Sequence, residues 1–144
     1  MNEKYIKYFH TIALETAMLS TATKLKVGCV IVKDTRILSI GYNGTPAGWD
    51  NECEEVIPPN EWVEFEQLKT KPEVLHAETN AIAKLAKSSE SGLGATMFVT
   101  HAPCIDCAKI VYQSGIDTVY YKNDYRSTQG LEFLTKSNVN LVKV

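Results

Sequence analysis

His76-Ala77-Glu78 and Pro103-Cys104-Ile105-Asp106-Cys107 bring an imidazole, two thiols and a carboxylate into two short motifs. His76, Cys104 and Cys107 are three zinc ligands, and Glu78 is a carboxylate that need not bind the metal. A structural zinc site is normally closed by four protein ligands, whereas a catalytic one keeps its fourth position for water, whose pKa the metal lowers toward neutrality. Three ligands with a spare acid/base group beside them therefore describe catalytic zinc. Either motif alone has a blander reading. C-x-x-C is more often structural zinc or redox chemistry, and His-Ala-Glu at a helix start is capping plus a surface imidazole. The two together, in this order and with a strand between them, favour catalysis.

These side chains need elements that start in the right places. Cys104 and Cys107 lie three apart at the start of a helix expected from about Cys104 to Ser114, so they share one face, and Pro103 suits the first turn because its missing N–H is not needed there. His76 and Glu78 open another helix, about Ala77 to Lys87, so two helix N-termini point partial positive charge at one spot. Thiolates gain from such a field. Strands are expected at Thr96–Thr100, Thr118–Tyr121 and near Asn140–Lys143, with a further helix at about Thr128–Lys136.

Upstream, Ile6, Phe9, Ile12, Ala13, Ala17 and Met18 recur at helical spacing between Tyr5 and about Ser20. The runs Val27–Val32 and Arg36–Tyr42, joined at Lys33-Asp34-Thr35, read as a β-hairpin. The expected architecture is α/β with three layers, α-β-α: a mixed five-stranded sheet in which the hairpin is followed by parallel βαβ units. Asn43 to Leu75 holds all but one of the five prolines and much acidic charge. An elaborated loop is expected there, with a short helix from about Asn60 to Lys69 that turns Trp62, Phe65 and Leu68 to its inner face.

With 144 residues the chain suits one domain, spanning residues 1–144, with a single core. The net charge of −2 argues against general nucleic-acid binding, which clustered Lys and Arg drive. No apolar run approaches the roughly 20 residues that cross a bilayer, and Met1-Asn2-Glu3-Lys4-Tyr5 lacks an export pattern. A cytoplasmic location is expected, with no membrane partner. In a reducing compartment Cys104 and Cys107 suit metal better than a disulfide.

The H-x-E and P-C-x-x-C pattern resembles that of zinc-dependent nucleobase deaminases, in which the glutamate is general acid/base and not a ligand. Gly41-Tyr42-Asn43-Gly44-Thr45-Pro46-Ala47-Gly48, His76-Ala77-Glu78-Thr79-Asn80-Ala81, Thr100-His101-Ala102-Pro103-Cys104 and Tyr120-Tyr121-Lys122-Asn123-Asp124-Tyr125-Arg126 narrow this. They resemble the deoxycytidylate deaminase family, phage members included, from about Ile12 to the last residue. The resemblance implies a cytidine-deaminase-like fold, hydrolysis of dCMP to dUMP and ammonia for thymidylate synthesis, and catalytic zinc. It also implies a homohexamer activated by dCTP and inhibited by dTTP, with Mg²⁺ accompanying the effector, and the host cytoplasm as location for a phage-encoded chain.

By the same resemblance His76, Cys104 and Cys107 are the zinc ligands, Glu78 is the proton shuttle and Asn43 contacts the nucleotide. Ala77, through its backbone, and Thr100 to Ala102 frame the base. Asn43 also reads as an ordinary Asn-Gly turn residue. A monophosphate needs a cation, and Lys24, Lys26 and Arg126 are candidates, each equally a solvated surface charge. The family often has arginine near Lys26. Cys29 is expected to be a buried apolar filler. Cys53 is expected to be a free thiol, since Cys53, His10 and His101 make no convincing second zinc site. The loop from Gly44 to Leu75, with Trp49 and Trp62, suits either a regulatory or subunit contact or a packed core with Glu52, Glu54 and Glu55 solvated. Other readings stay open: a tRNA adenosine deaminase, a free-nucleoside cytidine deaminase, a deaminase of riboflavin synthesis, or a non-enzymatic nucleotide-sensing module with structural zinc. A tRNA substrate would call for a basic surface.

Overall fold

A computed structural model describes residues 1–144. Its chain order is α1 (Glu3–Ala17), β1 (Gly28–Lys33), β2 (Arg36–Tyr42), β3 (Glu54–Ile57), β4 (Gln67–Thr70), α2 (Ala77–Ala86), β5 (Thr96–His101), α3 (Ile105–Gln113), β6 (Thr118–Asn123), α4 (Gln129–Lys136) and β7 (Asn140–Lys143). The main sheet runs β2-β1-β5-β6-β7. β1 is antiparallel to both β2 and β5, whereas β5, β6 and β7 are mutually parallel, as the α3 and α4 crossovers require. The hairpin turns at Asp34 and Thr35, both at positive φ, as a two-residue turn matched to strand twist demands.

Alternation along the strands sends successive side chains to opposite faces. Cys29, Ile31, Met97, Val99 and Val119 pack with Ala77, Ala81 and Leu85 of α2, Val111 of α3 and Leu134 of α4. Val30, Val32, Phe98 and Tyr120 meet Phe9 and Ala13 of α1 on the other face. The expected three-layer fold and mixed five-stranded sheet are therefore present. No helix is long and apolar enough to cross a membrane.

Two glycines set the contacts that carry the site. A Cβ on Gly41 would collide with Ala77 O and Ala81 N, so glycine lets the start of α2 lie directly against β2. A Cβ on Gly130 would collide with the backbone of Pro103 and Cys104, so α4 abuts the start of α3. Polar ties reinforce the first contact: Ser39 Oγ donates to Ala81 O at 2.7 Å, Asn80 Nδ2 to Tyr42 O at 2.8 Å and Lys84 Nζ to Ile40 O at 2.8 Å.

The helix expected at Asn60–Lys69 does not form. β3 and β4 pair antiparallel as a separate two-stranded ladder, with Val56 opposite Leu68. Asn60 Oδ1 accepts the N–H groups of Trp62 and Val63, as a helix cap would, but Asn60 N–H bonds back to Val63 O and closes a turn instead. The apolar spacing is helical in period but has no core to face: Trp62 is 85% exposed and Phe65 66%. Trp49 is exposed too, which overturns the packed-core reading of the two tryptophans. A nascent turn with no buried face is not extended into a helix.

Candidate active site

The N-termini of α2 and α3 meet beyond the C-terminal end of β5. His76 is the residue capping α2, and it is pinned from upstream by the reciprocal bonds between Gly44 and Leu75, at 3.1 and 2.8 Å. Cys104 caps α3 itself, its Sγ accepting the Cys107 N–H at 3.5 Å. Pro103 therefore sits just before the cap and not inside the first turn.

His76 Nδ1 lies 3.2 Å from Cys107 Sγ and 3.6 Å from Cys104 Sγ, and the three ligand atoms fall within 4.8 Å of one another. A tetrahedral ion about 2.0–2.1 Å from nitrogen and about 2.3 Å from sulfur separates N from S by roughly 3.6 Å. The donor set fits zinc in chemistry and in spacing. Cys53, His10 and His101 form no second group of this kind. Cys29 and Cys53 are buried free thiols, Cys53 packed with Ala22 and Val74.

The electrostatics match a cation site. The Cys104 thiol is driven down to about 3, first by the hydrogen bond with Cys107 and then by His76, while Cys107 is pushed up by Cys104 and by burial. His76 is raised, chiefly by its bond to Cys104. One negative charge is thus shared by a close pair of sulfurs, and a divalent ion that displaces the remaining proton would be held by both. Glu78 is 5% exposed, and burial is the main cause holding its carboxyl above the ordinary range, opposed by its own backbone N–H and by His76. A carboxyl so poised can take up and return a proton. Beneath it Cys29 is fully buried and its thiol is pushed up by burial and by Glu78, so it stays a neutral filler as expected.

A cavity of about 570 Å³ opens onto these groups, within the range of small-ligand sites. His76, Ala77, Glu78 and Cys104 line it, as do Asn43, Lys24 and Arg126. Lys26 does not, and Cys107 lies behind the wall at 1% exposure. Asn43 is not in a turn but just past the end of β2. Its Oδ1 accepts the Val27 N–H at 2.9 Å and its Nδ2 donates to Leu25 O at 2.8 Å, clamping the segment before β1 and leaving one amide N–H spare.

Sequence reasoning passed over Glu54, Asn123 and Tyr125, which also line the cavity, and gave His101 only a backbone part. Glu54 Oε1 accepts the backbone N–H groups of Thr23 and Lys24 at 2.8 and 3.1 Å, across some thirty residues of chain. Arg126 lies over the Tyr125 ring, 5.5 Å from its centroid. The Glu54 contact leaves no local signal, whereas Asn123–Arg126 stands inside the run that carries the family resemblance.

Comparison with known proteins agrees with this geometry. Residues 3–123 match the profile described as the cytidine and deoxycytidylate deaminase zinc-binding region. ComE operon protein 2 of Bacillus subtilis is 37% identical over 126 residues, covering 88% of this chain and 61% of that protein. The deoxycytidylate deaminase of Homo sapiens is 37% identical over 120 residues, covering 82% of this chain and 64% of that one. The chain thus spans about three-fifths of the length of these two relatives. The crystal structure of dCMP deaminase from the cyanophage S-TIM5, in complex with dCMP and dUMP, superimposes with a TM-score of 0.89 at 40% identity, covering 100% of this chain and 99% of that one.

Proposed function

The chain belongs to the cytidine and deoxycytidylate deaminase family, and on that premise we propose that it hydrolyses dCMP to dUMP and ammonia. One observation carries the proposal: three ligand atoms lie within 4.8 Å of one another, and two of their residues, His76 and Cys104, line a cavity that the buried Glu78 also lines. His76, Cys104 and Cys107 would hold zinc, which when bound supplies a Lewis acid that brings the pKa of water toward neutrality. A Glu78 oxygen takes the proton of the attacking water as a C–O bond forms at C4 of the cytosine ring. Glu78 delivers this proton to the ring nitrogen N3, then takes the remaining proton from the new C4 hydroxyl and passes it to the departing amine, so that the C4=O bond forms, the C4–N bond breaks and ammonia leaves.

The remaining groups bind. The backbone of Ala77 and the segment Thr100 to Ala102 frame the base, and the spare N–H of Asn43 meets a sugar hydroxyl or a base edge. Lys24 and Arg126, which line the cavity, are the cations for the phosphate in this reading, and Lys26 is not among the lining residues. The wider reading rests on the family resemblance. In it residues 1–144 are one deaminase domain in the cytoplasm, dUMP feeds thymidylate synthesis, the chain assembles as a homohexamer, and dCTP with Mg²⁺ activates while dTTP inhibits.

The test is ammonia release by zinc-replete protein from dCMP, deoxycytidine and CMP, each with and without dCTP and Mg²⁺. Turnover confined to dCMP and raised by dCTP is expected. Turnover of deoxycytidine alone would move the protein to the free-nucleoside class, and silence throughout with zinc bound would point to a non-enzymatic module.

A further inference from the structure

His101 has a hydrogen-bonding arrangement that the chemistry above does not use. Its Nδ1 lies 3.0 Å from Thr100 Oγ1, and the same hydroxyl oxygen accepts the Gly28 N–H at 3.1 Å. Thr100 is 1% exposed, so its O–H needs a protein acceptor. Of its two partners, Gly28 N–H can only donate, which leaves His101 Nδ1 as the acceptor. An Nδ1 that accepts carries no proton, so the neutral ring carries its proton on Nε2. Burial also depresses His101, which keeps the ring neutral. The backbone is held as firmly: Asn123 Nδ2 donates to Thr100 O at 2.9 Å, and Ala102 N–H to Asn123 O at 2.8 Å.

The place of the ring indicates what its N–H meets. His101 lines the cavity and pairs in register with Asn123 of β6, while its neighbour Thr100 is bonded to Gly28 at the start of β1. The imidazole therefore stands at the end of the sheet where the segment carrying Lys24 enters and the segment carrying Arg126 leaves. These two are the cationic side chains of the cavity lining. A neutral N–H donor between two cationic arms complements a phosphate oxygen.

We propose that Thr100 is a positioning residue that holds His101 as its Nε2–H tautomer, and that His101 donates this N–H to the 5′-phosphate of the bound nucleotide. The inference rests on the nucleotide-deaminase reading and adds the donor that distinguishes a nucleotide from a nucleoside. A hydrogen bond to a charged group corresponds to about a 10- to 100-fold change in affinity.

The test uses ¹⁵N-labelled, zinc-loaded protein. Two-bond ¹H–¹⁵N correlation, with the His101 signals identified by their loss in His101→Phe, should show the Nε2–H pattern. Thr100→Ser should keep it and Thr100→Val should weaken it; the wild type and Thr100→Ser decide the point even where the valine variant folds poorly. Added dUMP should shift the His101 Nε2–H signal, and deoxyuridine should not. His101→Phe should raise KM for dCMP about 10- to 100-fold without a matching fall in kcat and without a matching loss of deoxyuridine binding, and His101→Gln, which restores a donor, should recover part of the loss. An Nδ1–H pattern, an equal response to dUMP and deoxyuridine, or an equal weakening of dUMP and deoxyuridine binding in His101→Phe would overturn the proposal. Failure of the enzymatic reading looks different, since zinc-loaded protein would then deaminate nothing while the dUMP titration still decides the phosphate contact.

Discussion

Two groups of residues in the cavity lining are held by different means. In the first, His76 and Cys104 cap helices whose inner faces join the buried core, and Gly41 and Gly130 let those helix starts touch neighbouring backbone directly. Lys24, Glu54 and Arg126, also in the lining, come from connecting segments and the small β3–β4 ladder, and Glu54 accepts from the backbone of Thr23 and Lys24, some thirty residues away. The contrast separates two demands. Metal ligands and a proton carrier must be fixed closely, so they sit on packed elements, whereas groups that receive the rest of a ligand can be carried on polar-tied connections.

That contrast can be broken in either group. The largest effect is expected for Cys107→Ala, which removes a buried ligand: zinc content by metal analysis should collapse, and thermal stability should fall with it, because metal binding is coupled to folding. Zinc retained at one equivalent per chain would break the assignment of the ligands. Gly41→Ala should come next. Its methyl has no room against Ala77 and Ala81, and overpacking costs about 1–3 kcal/mol, readable as a lower midpoint in urea, with activity lost beyond the stability change because the start of α2 must shift.

Changes in the second group should act on binding and spare the metal. Glu54→Ala releases the backbone of Thr23 and Lys24 and should raise KM for dCMP about tenfold, the weight of one charge-assisted hydrogen bond, at unchanged zinc content. Equal losses of zinc and affinity would show that the two groups are not separate. The smallest effect is expected for Trp62→Ser. Its ring is exposed, so stability in denaturant should move by no more than about 0.5 kcal/mol. A drop several times larger would mean that the β3–β4 ladder has a buried face.

The same division explains what could be read from the sequence. The helices and strands around the metal carry their own periodicity, with Ala77, Ala81 and Leu85 on one face of α2 and alternate residues of β1 and β5 on each side of the sheet. The motif residues sit at the starts of those elements, so their convergence followed from topology. The Asn60–Lys69 segment misled because Trp62, Phe65 and Leu68 recur every three residues, whereas what forms is the non-local pairing of Val56 with Leu68. Glu54 was passed over for the same reason: its partners at Thr23 and Lys24 are neighbours only once the chain has folded. Among the cation candidates, sequence offered three without ranking them, and only the cavity lining separates Lys24 and Arg126 from Lys26.

The central claim is that Glu78 moves protons for a hydrolytic deamination and does not hold the metal. Glu78→Gln keeps shape and burial while removing the proton carrier. The decisive measurement is ammonia release from dCMP by this variant beside the wild type, with zinc content determined on the same samples. A fall in turnover of about 10²- to 10⁴-fold at unchanged zinc is the expected result. Turnover within tenfold of the wild type at full zinc occupancy would contradict it.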